Sequence, residues 1–341
     1  MAEPTKSGEK LTDPLELYSY PEEWVERRAE VEGLDEVSRK IDSGLYILTP
    51  DGWLRRGITT GTTASAAVIA AVASVYENIV REVEVLTPSG LKVSVEVRAK
   101  SGVGEVAKFA GDHQFDVTDG LLFKAFAMDR KSESAIEFGK GVGWHRNGRI
   151  AVSKAAMSQI RANFEEVAGK YGYEGTVRLE IPEGERVAEL TGNQKLGISG
   201  GISILGTTGF VEPWCRGLVE VKAAIASQYD RIAVTTGRNG WRWCMENLVG
   251  YQPIVFGMYI DEGLKASRPA EDVVLVGKPS LLLKWAEPSF KESVLNPEYV
   301  PEKSKLKTRE IEELGEKVLR KAREINSGVR KVILLGVGEW E

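Results

Sequence analysis

Lys195 to Trp214, KLGISGGISILGTTGFVEPW, is the stretch whose residue types are best suited to chemistry. With Gly192 as its lead-in it carries six glycines, at 192, 197, 200, 201, 206 and 209. An ordinary packed segment does not need so many. Each costs roughly 0.5–1 kcal/mol to order and repays that by letting backbone approach a ligand or adopt positive φ. The run reads as a backbone cradle for a large ligand, centred on Gly206, Thr207, Thr208 and Gly209, or as a glycine-rich crossover between two domains. Glu212 and Pro213 close it. A second stretch, Arg55 to Val75, places a Gly-Thr turn over Thr59 to Thr63 before a helix of small residues, Ala64 to Val75. The N–H groups at such a helix start, beside Arg55 and Arg56, make an anion site; the alternative is a Thr/Ser-capped core helix. A third stretch, FAGDHQFDVTDG, holds Asp112, Asp116 and Asp119. It lacks the calcium-loop form, so turn-forming aspartates are the preferred reading.

Several function classes fall away on composition. The two histidines, His113 and His145, are too few for a histidine metal cage. Cys215 and Cys244 are the only cysteines, as expected of a cytoplasmic chain. A net charge of −5 argues against general nucleic-acid binding. No apolar run of about 18 residues occurs, so no membrane span is expected, and the polar, acidic start does not read as a secretory signal. Few Cys and Met beside abundant Glu, Lys and Arg suggest a thermophilic source.

The 341 residues are enough for two domains with cores of their own. Residues 1–43 are charged and Pro-punctuated, with short helices from Pro21 and over Asp35 to Ile41, and read as a solvated, partly ordered extension. Residues 44–195 read as an α+β domain. A strand–turn–strand leads into the Gly-Thr turn, the alternation of Val83, Val85, Val93, Val95 and Val97 predicts a β-hairpin, Gly139, Gly141 and Gly143 mark a tight loop before Trp144 and His145, and a helix over Ser153 to Tyr171 precedes a strand from Thr176. Residues 196–341 repeat strand–glycine–helix: Arg231 to Thr235, Pro253 to Phe256, Asp272 to Val276 and Lys331 to Leu335 are the strands. That pattern predicts a three-layer α/β domain with a mainly parallel sheet. Ligands then sit at the carboxyl ends of the strands, which points to Thr236, Gly237, Arg238, Asn239, Gly257 and Gly277. Pro288 to Lys307 reads as a long exposed loop. The fold class is α/β, α+β overall.

Four segments carry a family resemblance. They are RGITTGTTASAA from Arg56, AGDHQFDVTDG from Ala110, GKGVG from Gly139, and the run from Lys195 to Pro213. In order and separation they resemble the CbiD family, the cobalt-precorrin-5B (C-1)-methyltransferases of anaerobic cobalamin (vitamin B12) biosynthesis, from about residue 54 to 285. The resemblance implies methyl transfer from S-adenosylmethionine to ring carbon 1 of a cobalt corrin precursor. It implies cofactor contacts at Gly206, Thr207, Thr208, Gly209, Thr236, Gly237, Asn239 and Gly277. Substrate contacts are expected at Arg56, Thr59, Thr60, Gly61, Thr62, Asp116, Arg161, Arg238 and Lys278, since a polycarboxylate needs N–H groups and a few cations. A proton acceptor, if the reaction uses one, is Glu212 or Asp112. The cobalt arrives in the substrate and the protein ligates none. A homo-oligomer or other cobalamin-pathway enzymes are the expected partners, with neither nucleic acid nor membrane. The chain resembles a divergent member. Thr63 stands for the family's Cys, His113-Gln114 for Asp-Pro, and VGKPSLLLKWA (276–286) replaces a longer late segment whose Thr-His and Asp-Gly-Arg elements are absent. Two other readings follow: a non-catalytic tetrapyrrole-binding paralogue, and an unrelated α/β enzyme acting on a phosphorylated or nucleotide substrate at the Gly-Thr turn.

Overall fold

The computed structural model describes residues 10–130, 135–289 and 308–341. The chain forms two compact units, residues 28–215 and residues 1–27 with 216–341.

In the first unit, α1 (Glu22–Glu32, begun in the other unit) and α2 (Leu34–Asp42) lead to the hairpin of β1 (Tyr46–Thr49) and β2 (Gly52–Arg55), the short β3 (Gly57–Ile58), and α3 (Thr60–Tyr76). A six-stranded sheet follows. It contains β4 (Val80–Leu86), β5 (Lys92–Lys100), β6 (Val103–Ala107), β7 (Leu122–Met128) and β8 (Ile136–Phe138). After β9 (Gly141–Val142), β10 (Trp144–His145) and α4 (Lys154–Tyr171), β11 (Thr176–Glu180) inserts between β7 and β8. All pairs in this sheet are antiparallel except β11 with β8. Val83, Val85, Val93, Val95 and Val97 are buried as their alternation predicts. Helix α3 packs across β4 to β7, with α4 beside it. It is buried on nearly every side, and its Ala, Ser, Thr and Gly residues are what allow such close approach. It starts at Thr60 rather than Ala64, because Thr59 Oγ1 caps it by accepting from the Thr62 N–H at 3.2 Å. The unit ends with α5 (Gly184–Ala188), β12 (Ile198–Ser199), β13 (Gly201–Ile202) and β14 (Phe210–Val211). The apolar stretch from Ile202 to Leu205 is therefore not one inner strand. Only its first residue is in a strand, and beyond it Ile204 makes a single isolated bridge to Val152.

In the second unit, α6 (Arg216–Ala226) precedes β15 (Arg231–Thr235), α7 (Arg238–Asn247), β16 (Gln252–Val255), α8 (Ile260–Ala266), β17 (Asp272–Gly277), α9 (Pro279–Ala286), α10 (Thr308–Ile325), β18 (Val329–Leu334) and β19 (Gly338–Trp340). The sheet order is β16-β15-β17-β18-β19, parallel except for the last strand, which was not predicted. Right-handed crossovers put α7 on one face and α8 to α10 on the other, and α6 packs against α8. Residues 290–307, most of the expected loop, lie outside the described residues.

The N-terminal segment differs from expectation. From Leu15 onward it is structural, with Leu15, Tyr18, Tyr20 and Trp24 all 5% exposed or less. Its aromatic and aliphatic side chains, spaced among charges, gave no periodic signal. Glu16 is buried against Lys222, and its carboxylate also accepts from the Val255 N–H at 3.0 Å. The Glu16 carbonyl accepts from the Trp241 indole at 3.1 Å, and Tyr229 Oη accepts from the Ser19 N–H at 2.7 Å.

Candidate functional site

The four segments singled out in the sequence meet at the N-terminal end of α3. Arg56 bridges to Gly111, and the Ile58 N–H donates to the Phe109 carbonyl at 2.8 Å. Gly57 and Ala110 are in backbone contact that leaves no space for a side chain at 57. Strand β9 of the GKGVG loop pairs in parallel with β13, Gly141 opposite Gly201. The glycine run then reaches the first turn of α3. The Gly61 N–H donates to the Leu205 carbonyl at 2.9 Å, and the Thr59 N–H to the Gly209 carbonyl at 3.0 Å. Thr60 Oγ1 accepts from the Leu205 N–H at 2.8 Å, and the Thr62 hydroxyl donates to the Gly209 carbonyl at 2.8 Å.

This arrangement gives the glycines and threonines of both segments local partners. Gly61 and Thr62 give their N–H groups to Leu205 and Thr59, which satisfies two of the donors at the start of α3. Thr59 to Thr62 are buried, at 9% exposure or below for the threonines. Gly206 and Gly209 are glycines for local reasons. A Cβ at Gly206 would strike the Thr59 side chain, and one at Gly209, where φ is 92°, would sit 2.5 Å from Thr87 Cβ. Thr207 is exposed and Thr208 half-buried, its hydroxyl accepting from the Phe210 N–H at 3.2 Å.

Arg56 is fully buried; its Nε donates to Glu212 Oε1 at 2.9 Å and Nη1 to the Gly44 carbonyl at 3.1 Å. It is thus a fixed internal cation rather than a reaching one, and Glu212 is its counter-ion. Asp112 accepts from the Arg55 N–H at 2.7 Å and faces its guanidinium at 3.4 Å. Asp116 accepts from the Thr118 N–H at 2.9 Å and pairs with Lys108 at 2.6 Å. Burial raises the Asp116 carboxyl, yet bonds from Lys108 and Thr118 outweigh it and leave the pKa below the ordinary value. Asp119 accepts from the Ala110 N–H at 2.9 Å. The three aspartates are turn-formers, and no group of metal-ligating side chains occurs among the described residues. Arg161 is exposed on α4. Sequence reading missed Gln159 and Asn163, one turn apart on the buried face of α4. Gln159 Nε2 donates to Thr62 Oγ1 at 3.1 Å and Asn163 Nδ2 to the Leu86 carbonyl at 2.9 Å. Two amides at i and i+4 within the expected helix were the available signal.

The remaining candidates lie in the second unit, at the carboxyl end of its sheet. The chain leaves β15 toward β16 and leaves β17 toward β18 on the other side, so a switch point falls between β15 and β17. Thr236, Gly237, Arg238 and Asn239 follow β15; Gly277 ends β17 and Lys278 follows it. Thr236 Oγ1 accepts from the Lys278 N–H at 3.2 Å, joining the two loops. Nothing lies within 4 Å of a Cβ built at Gly237. Gly237 starts α7 with no side-chain cap, and Asn239 and Lys278 are exposed. Arg238 is held inward, bonded to the Leu15 carbonyl and stacked 3.8 Å from the Trp241 ring centroid. Gly257, at φ 61°, only turns the chain after β16.

The CbiD sequence model matches residues 49–213, the span that contains all four interlocked segments. The cobalt-precorrin-5B C(1)-methyltransferase of Archaeoglobus fulgidus is 53% identical over 276 residues, covering 81% of this chain and 88% of the relative. The chain belongs to the CbiD family. The enzyme of the same name from Methanospirillum hungatei is 39% identical over 292 residues, 83% of this chain and 85% of its own. The crystal structure of the cobalamin biosynthesis protein CbiD from A. fulgidus superposes with a TM-score of 0.79 at 48% identity, over 95% of this chain and 100% of that one. The matched span therefore includes the second unit as well as the first. No helix among the described residues is long and apolar enough to cross a membrane.

Proposed function

We propose that this chain methylates carbon 1 of cobalt-precorrin-5B with S-adenosylmethionine as the donor. The observation that carries the reading is the 53% identity to the A. fulgidus methyltransferase across nearly nine-tenths of that relative. The donor is assigned to the switch point of the second unit. There Gly237 leaves backbone open to a ligand, the uncapped start of α7 suits the carboxylate of the methionine moiety, and Thr236, Asn239 and Gly277 line the loops. In the transfer, the S–CH₃ bond breaks as the electron pair of the ring carbon forms the new C–CH₃ bond, and the sulfonium leaves as a neutral thioether. Such a step asks the protein for alignment and exclusion of water rather than for a nucleophile. Two histidines and two cysteines in the whole chain are compatible with that demand. With Glu212 bound to Arg56 and Asp112 to Arg55, no proton acceptor enters the reading. We place the enzyme in the cytoplasm.

The test is turnover with methyl-labelled S-adenosylmethionine and cobalt-precorrin-5B. One labelled methyl per corrin at C-1, with stoichiometric S-adenosylhomocysteine, is the expected result. A folded chain that binds the corrin yet transfers no methyl would sink the enzymatic reading and leave the paralogue.

A further inference from the structure

We propose that the interlocked segments 139–156 and 192–211 of the first unit form the seat of a flat macrocycle bearing several carboxylates; this deepens the substrate reading above and rests on it. The two stretches are woven together. Trp144 pairs with Ser199 and His145 with Ile198, Gly141 lies opposite Gly201, and Val152 bridges to Ile204. The Arg146 N–H donates to the Gly197 carbonyl at 3.2 Å, and its side chain lies alongside Gly197.

Their charge is one-sided. Lys140, Arg146, Arg149, Lys154 and Lys195 stand in these two stretches, and neither contains an Asp or Glu, in a chain whose net charge is −5. All five cations are exposed. Among them the fold presents apolar surface. Trp144 is 43% exposed, Leu205 53% and Leu196 72%. Trp144 Cδ1 lies 3.9 Å from a Cβ position built at Gly200, so a glycine leaves the flank of the indole uncovered. Exposed apolar side chains in the same stretches as guanidinium and ammonium groups fit a planar ring whose faces are apolar and whose rim is carboxylate. Arg146 and Arg149 are suited to bidentate contact with those carboxylates.

Cobyrinic acid, a corrin with free carboxylates, is the probe, with the amidated corrin cobinamide and duplex DNA as comparisons. Binding is read from tryptophan fluorescence and calorimetry on the full chain. The parent binds cobyrinic acid, and cobinamide and DNA bind at least tenfold more weakly. Trp144→Ala weakens binding roughly tenfold, while Trp144→Phe restores affinity. Arg146→Ala with Arg149→Ala weakens it by at least tenfold and flattens its salt dependence. Tyr76→Ala, at the opposite end of α3, changes nothing. If the parent binds and the Trp144 and Arg variants bind equally well, the seat is elsewhere and this inference fails alone. Equal affinity for DNA also overturns it, as a general anion surface. If the folded parent binds no corrin at all, the substrate reading itself fails.

Discussion

Arg56 Nε and Glu212 Oε1 are 2.9 Å apart, and the Arg56 side chain has no solvent exposure. Residues 156 positions apart are thus joined as an ion pair, one directly before β3 and one at the end of the glycine run. Removing one partner from a buried pair leaves the other charge without its counter-ion in a place water does not reach. Glu212→Ala is expected to cost about 3–5 kcal/mol in urea unfolding of the first unit. Glu212→Gln, which can still accept from Nε, should cost less and keep methyl transfer. Complete loss of turnover in a stable Glu212→Gln variant would show that the carboxylate does chemistry.

The glycines divide into those whose Cβ space the fold fills and those that face open space. Gly209→Ala, at φ 92° and against Thr87, should destabilise by about 1–3 kcal/mol. Gly237→Val faces open space at φ 165°, an extended conformation any residue adopts. It should leave thermal stability unchanged and lower S-adenosylhomocysteine affinity at least tenfold by calorimetry, since the added side chain fills the space assigned to the cofactor. Unaltered affinity in Gly237→Val would move the donor away from the switch point.

Glu16 anchors the N-terminal segment in the second unit through Lys222 and the Val255 N–H. Glu16→Ala leaves the Lys222 ammonium buried at 0% exposure without that carboxylate. The expected outcome is a loss of roughly 3–5 kcal/mol, seen as protease cleavage near residue 20 at concentrations that spare the parent. Resistance equal to the parent's would mean that the aromatic residues Tyr18 and Tyr20 suffice.

Acid should act on the loop around Asp116. Its folded pKa lies below the ordinary carboxylate value, because Lys108 and Thr118 outweigh the burial that raises it. The stability it confers is complete above the unfolded value near 3.8 and is lost as pH falls through the lower folded value. Asp116→Asn should therefore remove part of the stability at neutral pH and flatten the decline below pH ~4. An identical acid limb in the variant would assign that decline to other groups.

The two thiols should react at different rates. Cys244 is 1% exposed in the packing of α7 against β15, β17 and β18, and burial pushes its thiol up to about 12. A thiol-specific reagent at pH 8 should modify Cys215, which is half-buried, and reach Cys244 only on unfolding. Fast modification of both in the native protein would show that α7 opens readily.

Read alone, the sequence determined the elements whose signals are local. The alternating valines of β4 and β5, the strand–glycine–helix repeats from Arg231 onward and the Ser153-capped α4 all appear where their periods put them. It also determined family membership, since four glycine-rich segments in a fixed order are specific even without a structure. Tertiary structure alone decided what those glycines do. A glycine that admits a ligand and one that admits another backbone look the same in a sequence. Only the approach of Gly206 and Gly209 to α3 separates them from the open Gly237. The same holds for Arg56, whose charge reads as a surface contact until burial turns it inward, and for Leu15 to Tyr20, whose partners Tyr229, Trp241 and Val255 lie more than 200 residues away. Burial and long-range pairing depend on which distant segments arrive at the same place, and local residue spacing carries no record of that.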